Sequence, residues 1–185
     1  MISAIKKDDA ATVERLLDRG MDLNSSDSQG HSLLTLAARE GSQSAFKTLL
    51  KRGPKLNTQN QFGETALMLA AYNGHEQMVD ALLRNNAKPN QPGWNALVYA
   101  AAKGETQIVR RLLEAGAKVN AVSPNGTSAL MMAARGGHME TVLMLLGNDA
   151  DIRLKNQGGG TALGWAMDSG NTDIAELLIK AGAEE

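Results

Sequence analysis

Glycine recurs along this 185-residue chain on a fixed beat: Gly30, Gly63, Gly93, Gly126 and Gly159 are spaced 33, 30, 33 and 33 apart. A second ladder keeps the same phase, with Leu16-Leu17, Leu49-Leu50, Leu82-Leu83, Leu112-Leu113, Leu145-Leu146 and Leu178-Ile179. Two independent ladders sharing one period define an internal repeat, and a period of this length belongs to stacked, quasi-one-dimensional architectures. One such unit carries too few aliphatic side chains to offset the conformational entropy lost in ordering it. Neighbouring units must therefore bury one another's faces.

Each unit reads as a pair of helices. Two residues after each phase-setting glycine stands Ser32, Thr65, Asn95, Ser128 or Thr161, and all five residue types cap a helix N-terminus through a side-chain oxygen. A short apolar run follows, such as Ala66-Leu67-Met68-Leu69-Ala70-Ala71, whose alanines let helices approach closely. A break falls at Gly41, Gly74, Gly104, Gly137 and Gly170, where a helix end favours a left-handed residue. The second helix has helical apolar spacing, for example Met78, Val79, Leu82 and Leu83. It ends at Gly20, Gly53, Gly116 or Gly182, with Asn86 and Asp149 in that place in two units. The polar linking segments, such as Ala117-Lys118-Val119-Asn120 through Asn125-Gly126, suit projecting hairpins.

Gly63-Glu64-Thr65-Ala66-Leu67-Met68-Leu69-Ala70-Ala71 and Leu113-Glu114-Ala115-Gly116-Ala117-Lys118-Val119-Asn120 resemble the ankyrin repeat, and the resemblance covers essentially the whole chain. It implies an all-α ankyrin repeat solenoid that forms one domain over residues 1–185. The implied divisions are a partial repeat at 1–27, repeats at 28–60, 61–90, 91–123 and 124–156, and a C-terminal repeat at 157–185. The family's usual proline after the cap is replaced by Leu33, Ala66, Ala96, Ala129 or Ala162, and its usual histidine by Thr35, Met68, Val98, Met131 or Gly164. These losses leave the apolar ladder intact. Lys7-Asp8-Asp9-Ala10-Ala11-Thr12-Val13 and the short hairpin Asn90-Gln91-Pro92-Gly93-Trp94 resemble stand-alone bacterial ankyrin proteins, several of which carry an export signal.

Counting back one period sets Met1 opposite Leu34, inside the first helix of its unit. Half an inner helix (Ile2, Ala4, Ile5) thus precedes a full outer helix (Val13, Leu16, Leu17), as a natural cap or because upstream residues are absent. No positively charged, apolar signal segment stands in these residues. The default expectation is a cytoplasmic protein, with export as the alternative that the resemblance raises.

Composition narrows the function classes. With no Cys there are no disulfides, thiolate zinc sites or Cys nucleophile. A net charge of −1 gives no broad attraction to nucleic acid or acidic membranes, and no apolar run approaches the length of a membrane span, about 20 residues. His75 and His138 occupy equivalent places two repeats apart, at about 16–20 Å for helices packed about 8–10 Å apart. They share no metal or substrate atom, and are expected to satisfy turn backbone groups; His31 is expected as an exposed first-helix residue. Gly158-Gly159-Gly160-Thr161 has the look of a phosphate nest but lacks the Lys-Ser/Thr of a P-loop, and reads as a hairpin tip with extra glycine. No catalytic motif, cofactor site or metal site is expected.

The aromatic positions point to a surface. Trp165 and Tyr99 fall where other units have Leu36, Leu69 and Met132, and Phe46 falls with Val13 and Val79; these three are expected inside the stack. Phe62 and Trp94 instead flank turn glycines, and Tyr72 follows the paired alanines, a place that faces the concave groove in the ankyrin family. The resemblance implies a protein partner, bound by a monomer through groove and hairpin tips. Phe62, Tyr72 and Trp94 are the expected anchors, ringed by Gln61, Glu64, Asn73, Lys103, Asn125 and Arg135. A second role for Trp94 is to cover the hairpin shortened by three residues. Two other function classes stay open: an accessory or inhibitory subunit of one enzyme, and an enzyme whose site carries no recognised motif.

Overall fold

Five helices begin in one way. In the computed structural model, which describes residues 1–184, the side-chain oxygens of Ser32, Thr65, Asn95, Ser128 and Thr161 accept the amide three residues on. Each satisfies one of the donors that a helix start leaves unpaired. The helices so begun are α3 (Leu33–Glu40), α5 (Ala66–Tyr72), α7 (Ala96–Lys103), α9 (Ala129–Gly136) and α11 (Ala162–Asp168). With the shorter α1 (Ile2–Lys6) they are the first, inner helices of their repeats. The outer helices are α2 (Ala10–Asp18), α4 (Gln43–Lys51), α6 (Glu76–Arg84), α8 (Thr106–Glu114), α10 (Met139–Leu146) and α12 (Thr172–Lys180). No strand forms among the described residues; the hairpins contribute only isolated bridges, Ser26 to Ser32 and Val122 to Ser128.

The turns behave as their residues require. Gly41 and Gly104 close inner helices at φ 73° and 70°, where a Cβ is strained. Asn86 and Asp149 take the left-handed place after outer helices, at φ 66° and 62°. Asp8 does the same in the first pair at φ 54°, and its carboxylate accepts the Ala45 amide at 2.8 Å, capping α4.

The helices group into two compact units, Met1–Lys88 and Pro89–Glu185. In the first, α3 packs between α1 and α5, and α2 packs on α4. In the second, α9 packs between α7 and α11, and α10 packs on α8. The paired alanines at the inner contacts are fully buried, as are Val13, Phe46, Leu49, Val79 and Leu82 in the first unit and Val109, Leu112, Val142, Leu145 and Leu178 in the second.

A polar ladder joins successive repeats inside each unit. The carbonyl of Asn24 accepts the Lys55 amide and that of Asn57 the Lys88 amide, both at 2.9 Å. Asn90 and Asn120 do the same for Lys118 and Asp151, at 2.9 and 2.7 Å. Their amide groups also donate to the Gly116 and Asp149 carbonyls. An asparagine thus ties one hairpin to the backbone of the next.

Two changes test this account. Leu112→Asp places an unpaired carboxylate in a fully buried site, and the far-UV circular dichroism of the variant is expected to lose its cooperative helical melt. Asn120→Ala removes two bonds between repeats and is expected to cost about 1–2 kcal/mol in urea unfolding, with faster exchange of the Asp151 amide. An unchanged midpoint and protected amide would show that the ladder contributes nothing.

Candidate functional site

In the first unit the hairpin before α5 is organised by one buried side chain. The Asn60 carbonyl accepts the amides of Phe62 and Glu64, both at 2.9 Å, and its amide donates to the Glu64 carboxylate at 2.7 Å. This turn leaves Phe62 61% exposed at the tip. Gln61 turns the other way, donating its backbone and side-chain amides to the Gln29 and Ser28 carbonyls of the preceding hairpin. Tyr72 ends α5 just after the buried Ala70 and Ala71 and is 37% exposed. Asn73 folds its amide back onto the Leu69 carbonyl at 2.8 Å. Gln61, Phe62, Glu64, Tyr72 and Asn73 therefore belong to one repeat, where Phe62 and Tyr72 offer apolar surface and Gln61 and Asn73 serve the backbone.

The second unit arranges its share differently. Trp94 precedes the cap Asn95 and is half-buried, its ring set edge-on to Tyr99 with centroids 5.9 Å apart at 73°. Tyr99 and Trp165 are themselves half-buried, whereas Leu36 and Leu69 at the same helix place are 1% and 5% exposed. Met132 at the same place is half-buried as well, so Tyr99 and Trp165 lie only partly inside the stack and not wholly as expected. Arg135 lies over the Trp165 ring, its guanidinium carbon 5.5 Å from the centroid, a cation–π arrangement. Lys103 is the exposed last residue of α7. Asn125 is exposed at a tip, its carbonyl 2.5 Å from the Ser123 hydroxyl. The pairing of Arg135 with Trp165 was open to arithmetic: Trp165 is one period after Met132, and Arg135 is three residues after it on the same helix face.

A family model for ankyrin repeats matches three times, over residues 1–60, 47–123 and 116–185. The chain belongs to the ankyrin repeat family. No curated protein matches it at a significant level. Ankyrin repeats are in general protein–protein interaction modules, typically without enzymatic activity.

The histidines of these ankyrin repeats serve the scaffold. His138 donates from Nε2 to the Ala102 carbonyl at 3.2 Å, joining one repeat to the one before. The His75 ring lies so close to Gly41 that a Cβ there would come within 2.9 Å of it. His31 differs from expectation: it is only 3% exposed and precedes the cap Ser32, outside the helix. Its Nδ1 bonds the Asp27 carboxylate at 2.9 Å, and its Nε2 lies 3.4 Å from an Arg39 nitrogen. Among the described residues no group of three or more His, Asp or Glu is placed to hold a metal ion, and no helix is long and apolar enough to cross a membrane.

Burial opposes ionisation of Asp27, but the His31 amide, the His31 ring and the Gln29 amide outweigh it and hold the carboxyl below its ordinary value. A depressed carboxyl pKa stabilises the fold above its unfolded value, and the contribution is lost as pH falls through the folded one. Asp27→Asn keeps an acceptor for the two amides, as Asn60 does in the next repeat, and removes the charge. The variant is expected to be about 1 kcal/mol less stable at neutral pH, with the difference fading in acid below the ordinary carboxylate range. A difference that persists at low pH would separate it from the Asp27 charge.

Proposed function

We propose that this chain is a protein-recognition module, acting as a monomer through its inner-helix faces and hairpin tips. Phe62, Tyr72 and Trp94 act as anchors, with Gln61, Glu64, Asn73, Lys103, Asn125 and Arg135 as the polar rim. The observation that carries the reading is the exposure of Phe62 on a tip whose Asn60, Gln61 and Gly63 amides are all satisfied internally. A rigid tip presents its ring without paying to order a loop on binding. Large aromatic anchors dominate interfaces where they reach a pocket on the partner. Family membership supports a protein as the ligand; the residue assignments rest on position and exposure.

Capture of native partners from the source cells, quantified by mass spectrometry, tests this reading. Phe62→Ala and Tyr72→Ala are expected to weaken capture at least about tenfold while leaving the melting temperature unchanged. Trp94→Ala removes the edge contact to Tyr99 and is expected to lower both stability and capture. Arg110→Ala and Glu114→Ala, on the outer helix α8, are the controls. Capture lost by the α8 variants and kept by the Phe62 and Tyr72 variants would place recognition on the other face.

A further inference from the structure

The inner helix α11 breaks two patterns that α3, α5, α7 and α9 keep. Gly164 stands where those helices have Thr35, Met68, Val98 and Met131, each at most 1% exposed. Met167 stands where they have Ala38, Ala71, Ala101 and Ala134, all fully buried, and it is 51% exposed. The hairpin leading into α11 is unusual as well, because Gly158, Gly159 and Gly160 follow one another. A side chain on Gly160 would come within 2.6 Å of the Trp165 indole nitrogen and 3.2 Å of Asn156. The bare backbone of these glycines, together with Leu163, Trp165 and Met167, borders a cleft of about 510 Å³, within the usual size of ligand pockets. The glycine wall is held in shape, since the Asn156 carbonyl accepts the Gly158 and Gly160 amides at 3.0 and 2.8 Å.

Two charges border this cleft: Lys155 on the hairpin and Asp168 at the far end of α11. Neither forms a salt bridge among the described residues. In an extended segment side chains two residues apart share a face, so a ring and flanking charges that reach one cleft stand at alternate positions. Trp165 and Asp168 are three residues apart and share a helix face. Arg135 covers the indole from the neighbouring helix and holds its plane; it lines no part of the cleft. A small free anion would meet Asp168 and a small free cation would meet Lys155, so the pair of rim charges suits a segment that carries both signs.

We propose that the cleft on α11 is a subsite for one aromatic side chain of the partner, drawn from a peptide segment with a carboxylate on one side of the ring and a cation on the other. The ring lies against Trp165, the carboxylate pairs with Lys155 and the cation with Asp168. Arg135 is a positioning residue for the indole. The inference rests on the reading of the chain as a protein-recognition module and names the chemistry of part of that partner.

The probe is a Gly/Ser peptide with Glu-Ser-Phe-Ser-Lys at its centre, titrated into the full chain. The readout is the indole N–H signal in proton–nitrogen correlation spectra, where the two tryptophans are told apart by Trp94→Phe. Saturable movement of the Trp165 signal, with the Trp94 signal still, is the expected result. Trp165→Leu restores the residue type of α3 and α5 and is expected to weaken the probe at least about tenfold; Arg135→Gln is expected to weaken it less and to shift the free indole signal. Lys155→Glu is expected to turn the preference toward a Lys-Ser-Phe-Ser-Lys probe. Three results would overturn the proposal: no saturable movement of the Trp165 signal, equal movement with a Glu-Ser-Ala-Ser-Lys peptide, or self-association that Met167→Glu abolishes, which would make a second copy the occupant. Failure of the probe while native partners are still captured through Phe62 and Tyr72 would overturn the subsite alone. Loss of recognition altogether is read in the capture experiment and not in this one.

Discussion

Each unit depends on inner helices lying close enough to share a wall of alanine. Ala37 and Ala38 on α3, Ala70 and Ala71 on α5, Ala100 and Ala101 on α7, and Ala133 and Ala134 on α9 are all fully buried. Small side chains permit the close contact, and the close contact fixes what can follow them. In these four helices the pair is small throughout, and the residue after it stands at the edge of the contact. Lys6, Arg39, Tyr72, Ala102, Arg135 and Asp168 stand at that next place. At the second of the paired places α1 has Ile5, which is fully buried, and α11 has Met167, which is 51% exposed.

The hairpins face the opposite difficulty. They run beyond the helices, pair in no sheet, and must still satisfy their backbone groups. Side chains take over that task. Asp27, Asn60 and Asn156 each accept two amides across their own turn. Gln61 and Gln157 each donate two bonds to the preceding tip. The shortened hairpin before α7 has no such turn residue, and there Trp94 packs on Tyr99.

The repeat, the caps and the glycine turns were legible because each depends on a residue type recurring at a fixed interval. Every one of the five expected capping residues accepts the amide three residues on. What periodicity could not convey was interaction across a turn or between layers. His31 reads as a helix residue by its distance from Gly30, yet it bonds Asp27 four residues earlier and is buried by that contact. Tyr99 and Trp165 share a helix place with Leu36 and Leu69, and place alone does not reveal how far each side chain is buried. Gln61 reads as a free polar residue at a tip. Its role is visible only on comparison with Gln157, which lies 96 residues on because one of the three intervening periods is short.

The titrating groups show the same economy. Thr12, through its side chain and then its amide, holds the Asp9 carboxyl below its ordinary value. For Asp8 burial works against ionisation, but the Ala45 amide, the Ser44 amide and hydroxyl and the Lys47 charge together outweigh it. Asp27 follows that pattern with His31 and Gln29. A general acid or base needs a pKa brought toward the working pH, whereas these carboxylates are moved away from it. A carboxylate held ionised is a better acceptor for a backbone amide, and each of the three spends its charge on an amide that the fold leaves unpaired. Their displacement is therefore a property of the scaffold. The charges left outside that accounting include Lys155 and Asp168 beside the Trp165 cleft.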